Sequence, residues 1–134
     1  MRYLTTVAIC LSISAVLPGC KNAKKESCGH LLVEVTEAHM QVAKVRSDKD
    51  SKLSDIGAKL KKEAKELRAE KIPDTKLTQL KDDYADNLKS IGDTYEKVAA
   101  RTIDFEAFLR ETSKASKEEG DIQGEIVKYC KGTD

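Results

Sequence analysis

The sequence predicts an all-α protein. Apolar residues recur in steps of three and four through most of the chain, the period of helices that bury one stripe. The composition is rich in Lys, Glu, Ala and Leu, with two Pro and no Trp, as in helical bundles and coiled coils rather than sheets. Basic and acidic residues are interleaved and nearly cancel, at a net charge of +1, which is the pattern of a solvated helix face. That balance lacks the basic stripe that nucleic-acid binding requires, so no nucleic-acid partner is expected.

The first segment reads as a leader. Arg2 precedes the uncharged run Thr5 to Leu17, which is too short to span a bilayer and has the length of a secretory h-region. It ends in Leu17-Pro18-Gly19-Cys20. Residues 1–19 are therefore expected to be a signal peptide, residues 20–27 a polar tether and residues 28–134 one helical domain.

Leu three before and Gly one before a cysteine resembles the lipobox of bacterial lipoproteins, although Pro18 stands where that class usually has a small residue. The resemblance covers the leader alone. It implies cleavage before Cys20, diacylation of its thiol and a membrane anchor, with Lys21 rather than Asp next in the chain favouring the periplasmic face of the outer membrane. Two or three acyl chains hold firmly, at about 0.8 kcal/mol per buried methylene. Lys21, Lys24 and Lys25 would each add about 1 kcal/mol beside an anionic surface. The alternatives are a signal peptide cut near Gly19 that leaves Cys20 a plain thiol, or an uncleaved anchor.

In the body, Cys28, Leu31, Val35, Ala38, Val42 and Val45 form the first stripe, with Ser27 as N-cap. Five polar residues, 47–51, interrupt it, and Asp50 or Ser51 would cap a new helix. Leu53, Ile56, Leu60, Ala64 and Leu67 form the second stripe, weakened at Gly57 by about 1 kcal/mol relative to Ala. Pro73 cannot continue that helix, and Asp74 suits the N-cap of the next. From Leu77 through Leu80, Tyr84, Leu88, Ile91, Tyr95, Val98, Thr102, Phe105 and Leu109 to Thr112 the steps never fail, which predicts one long helix over about 74–117 with Gly92 tolerated. Ile122 to Cys130 forms a last, short helical stripe.

The simplest assembly is an antiparallel hairpin or coiled coil with its tip at Pro73 and a short third helix at the C-terminus. Residues 53–67 would face about 79–93, and 31–45 would face about 101–115. The alternative is a compact bundle of three or four helices, folding at 47–51 and again at Gly92.

An exported chain meets an oxidising compartment, so Cys28 and Cys130 are expected to be bridged. Counted from Pro73 they lie 45 residues before and 57 after, a mismatch that a loop or kink must absorb. Cys28, His30, His39 and Cys130 are enough donors for tetrahedral zinc. However, Cys28 and His30 point to different sides of a helix, and no CxxC or HExxH spacing is present. No metal and no cofactor are expected. Asp82, Asp83, Asp86, Glu118 and Glu119 are flanked by lysines rather than walled in a pocket, and no nucleophile motif accompanies them. The expected role is non-enzymatic: an envelope lipoprotein acting by helix-mediated contact with an envelope partner or itself, through the faces of residues 53–67 and 77–95. The alternative is a periplasmic ligand- or metal-binding, sensing or chaperone-like module with Tyr84, Tyr95, Phe105 and Phe108 lining its site.

Overall fold

The computed structural model describes the backbone of residues 18–131 and the side chains of residues 22–131. The leader through residue 17 and the Cys20 side chain lie outside the described residues. The described chain forms four helices and no strand: α1 (Pro18–Ser47), α2 (Leu53–Ala69), α3 (Thr75–Ala99) and α4 (Phe105–Cys130). Each runs antiparallel to the one before it, and α4 returns beside α1. Lys61 meets Glu96 and Arg68 meets Asp86 across α2 and α3; Tyr84 meets Glu119 across α3 and α4; Cys28 meets Cys130 across α1 and α4.

The predicted stripes supply the interior. Leu31, Val35, Ala38 and Val42 of α1 and Leu60, Ala64 and Leu67 of α2 are buried, as are Leu77, Leu80, Tyr84, Leu88 and Ile91 of α3. Each fully buried Leu or Ile contributes about 1.5–3 kcal/mol by leaving water. Helix α4 adds Ala115 and Ile126.

The hairpin at Pro73 forms as expected. Asp74 caps α3 by accepting the Leu77 N–H at 2.9 Å, and Thr78 Oγ1 donates to the Ile72 carbonyl at 2.9 Å. Lys81 finishes α2. Its ammonium is buried and donates to the carbonyls of Arg68 (2.9 Å) and Glu70 (2.7 Å), which a helix C-terminus otherwise leaves without partners. The break after α1 also falls where polar residues interrupt the stripe. There the Asp48 carboxylate accepts the Asp50 N–H at 3.1 Å, and the Asp55 carboxylate accepts the N–H of Lys52, the N-cap of α2.

Beyond Tyr95 the chain departs from the long hairpin and follows the four-helix alternative. The turn falls at residues 100–104, not at Gly92. Arg101 takes a left-handed φ of 57°, Thr102 Oγ1 donates back to the Lys97 carbonyl, and Asp104 caps α4 by accepting the Ala107 N–H at 2.7 Å. Phe105 and Leu109, read as seam residues, are 66% and 50% exposed. Residues 31–45 consequently face the second half of α4, not 101–115, as the 3.3 Å approach of His39 to Glu119 shows. The last stripe is the end of α4 rather than a separate helix. Ser27 is buried inside α1 instead of capping it, because that helix already runs through residues 20–27.

Candidate functional site

One end of the bundle joins the two cysteines singled out in the sequence. Cys28 and Cys130 form a disulfide with Cα atoms 5.8 Å apart. The reversals at 48–52 and 100–104 absorb the length mismatch, because α1 and α4 thereby both reach the end of the bundle that holds Pro73. Around the bridge, Tyr129 Oη donates to Asp74 at 3.0 Å, and the Lys24 ammonium sits 3.8 Å from the centre of the Tyr129 ring. The start of α1, the tip of the α2–α3 hairpin and the end of α4 are thus fastened together. Burial, then its bond to Asp74, raises the Tyr129 hydroxyl pKa.

The two histidines do not share a site. His39 Nδ1 lies 3.3 Å from Glu119 Oε1, and that oxygen also accepts a 2.7 Å hydrogen bond from the buried Tyr84 hydroxyl. Gln123 Nε2 completes the row by donating to Tyr84 Oη at 3.4 Å. Desolvation, reinforced by Glu119, pushes the Tyr84 pKa up from 10.0. Beside this row a groove of about 360 Å³ opens between α1 and α4, with Leu60 and Leu88 in its lining and His39, Arg46 and Glu119 at its edge.

His30 meets other partners. Its Nε2 lies 3.4 Å from Glu34 Oε1, one helical turn along α1, and 3.5 Å from Glu70 Oε2, just beyond α2. One donor atom from each of the three lies within 4.8 Å of the others. Glu70 is fixed by its backbone: its N–H donates to the Leu67 carbonyl, and its own carbonyl accepts from Lys81. Of the trio, Glu34 also lines a groove of about 280 Å³ between α1 and α2, together with Glu37, Glu63, Glu66 and Lys59.

Of the four donors weighed and set aside as a zinc set, Cys28, His30, His39 and Cys130, the cysteines are tied to each other and the histidines approach different carboxylates. Tyr84, Tyr95, Phe105 and Phe108 do not line one site. Tyr84 belongs to the core, while Phe108 sets its edge against Tyr95 at 5.1 Å and stacks on Phe105 at 6.0 Å. The apolar seams from Ile56 to Leu67 and from Leu77 to Ile91 line the bundle's own interior, while Leu53 is exposed. Sequence reasoning missed Glu70 and weighed Glu119 only as a carboxylate flanked by lysines. The His30–Glu34 spacing of four was a legible pairing signal, but the arrival of Glu70 depends on where α2 stops relative to α1.

Comparison with protein-family models, curated proteins and solved structures finds no match. Among the described residues no helix is long and apolar enough to cross a membrane.

Proposed function

We propose that the chain is a lipid-anchored protein of the bacterial cell envelope, on the periplasmic face of the outer membrane. It acts without catalysis, through helix-mediated contact with another envelope component or with its own copies. The observation that carries this reading is the sequence Leu17-Pro18-Gly19-Cys20 behind an uncharged apolar run.

Two features support it. A disulfide fastening the ends of a small helical fold suits an exported protein, because cytosolic thiols are kept reduced. Cys20 lies eight residues before Cys28, so an anchor there would leave from the disulfide end, where Lys24, Lys25, Lys71, Lys128 and Lys131 also fall. The opposite end, built from the two turns 48–52 and 100–104, would then point away from the bilayer. It carries the exposed Leu53, Phe105 and Leu109, an apolar surface suited to a partner.

The test is fractionation of cells producing the chain. The parent should sediment with membranes and enter detergent, and Cys20→Ser should lose that behaviour. A Cys20→Ser chain held in membranes as firmly as the parent would contradict the anchor.

A further inference from the structure

We infer that His30, Glu34 and Glu70 form a binding site for a tetrahedrally coordinated divalent cation of the zinc type, with water in the fourth position. The inference rests on the bundle alone and is independent of whether Cys20 is acylated.

The spacing of the donors is the first ground. The two contacts of His30 Nε2 measure 3.4 and 3.5 Å. A charge-assisted hydrogen bond between nitrogen and carboxylate oxygen closes to about 2.7–2.9 Å, so both contacts are ion-pair approaches longer than a full hydrogen bond. With metal–ligand bonds of about 2.0–2.2 Å, however, the edge of a coordination tetrahedron is about 3.4 Å. An octahedron of hard oxygen ligands at about 2.1 Å would need edges of about 3.0 Å. The two His30 separations lie near the tetrahedral edge, and the three donor atoms all lie within 4.8 Å of one another.

Donor chemistry is the second ground. One imidazole and two carboxylates form a three-ligand set that leaves a position for water, as in open zinc sites. The donors are held from two directions: His30 and Glu34 share a face of α1, and the Lys81 ammonium pins the Glu70 backbone. His30 is also two residues from the disulfide, which anchors that part of α1.

Electrostatics are the third ground. Glu34 also lines the α1–α2 groove, where three further glutamates, Glu37, Glu63 and Glu66, stand with Lys59. Lys59 pairs with Glu63, and Lys62 pairs with Glu66 from the same helix. Glu34 and Glu70 converge instead on an imidazole that binds metal in its neutral form. A divalent cation between them would relieve the repulsion of the two carboxylates and join α1 to the end of α2.

The experiment titrates the purified full chain with cobalt(II), whose visible absorption is intense in tetrahedral and weak in octahedral surroundings, and then displaces it with zinc. The expected result is an intense spectrum saturating at one equivalent and abolished by zinc. His30→Ala and Glu70→Gln should each weaken binding at least about tenfold, the smaller of the losses caused by disturbing even an outer-shell partner. His39→Ala should leave it unchanged. Glu70→Gln keeps the backbone contact to Lys81, and an unchanged far-ultraviolet circular dichroism spectrum and cooperative melt would establish that the variant folds. A weak octahedral-type spectrum from the parent would overturn the inference. So would tetrahedral binding that survives both His30→Ala and Glu70→Gln, which would place the metal on thiolates such as Cys20.

Discussion

Gly57 and Gly92 face each other across α2 and α3, so closely that a Cβ on either would stand 2.9 Å from the other's carbonyl oxygen. A side chain at Gly92 would also come within 2.7 Å of Lys61 Cγ. What reads in the sequence as a weak spot and a tolerated glycine is a close approach of the α2 and α3 backbones.

Gly57→Ala and Gly92→Ala should therefore destabilise the bundle. The gain in helix propensity is about 1 kcal/mol, while forcing two backbones apart costs about 1–3 kcal/mol. Gly120 and Gly124 of α4 have open space where a Cβ would go, so Ala there should stabilise by about 0.5–1 kcal/mol. Urea denaturation of the four variants checks the opposite signs.

The disulfide closes a loop across a sequence separation of 102 residues. Replacing both Cys28 and Cys130 by Ala should cost about 2–5 kcal/mol, mainly by freeing the unfolded chain. The check is the urea midpoint of the double variant against that of the parent, and against the parent under reducing conditions, which should match it.

Tyr84 predicts a loss of stability in alkali. Its pKa is raised in the folded protein above the ordinary 10.0, because burial and Glu119 both disfavour the phenolate. The folded state holds this proton more tightly, so the contribution is fully present below pH 10 and fades as pH rises further. Lys61, its pKa raised chiefly by its bond to Glu96, acts in the same direction. Tyr84→Phe isolates the tyrosine: it should cost about 1–2 kcal/mol at neutral pH through the lost hydrogen bond and lose less stability than the parent above pH 10. Thermal melts across that range supply the comparison.

Lys81 is only 3% exposed, and its ammonium caps α2. Lys81→Met keeps the aliphatic packing and removes the donor. It should destabilise by about 1–3 kcal/mol, and hydrogen exchange should quicken first in the last turn of α2.

Local chemistry explains which parts of the fold were legible. Pro73 and Asp74 mark a boundary by backbone rules alone, and the α2 and α3 stripes from Ile56 to Leu67 and from Leu77 to Ile91 become the core as read. The α3–α4 turn was concealed for two reasons. Val98, Thr102 and Phe105 keep the three-and-four step through it, and the left-handed residue that ends α3 is Arg101 rather than the glycine such a position favours. Asp104 two residues before Glu106 was the available capping signal. The Cys28–Cys130 pair followed from compartment and count, whereas Glu70 and Glu119 reach their histidines only through register, which periodicity does not specify.

The most direct test of the central claim is the intact mass of the non-reduced protein extracted from membranes. The account predicts a chain beginning at Cys20 that carries a diacylglyceryl group and further acylation, with two hydrogens missing for the Cys28–Cys130 bridge. A mass showing an unmodified Cys20 in membrane-derived protein would contradict it.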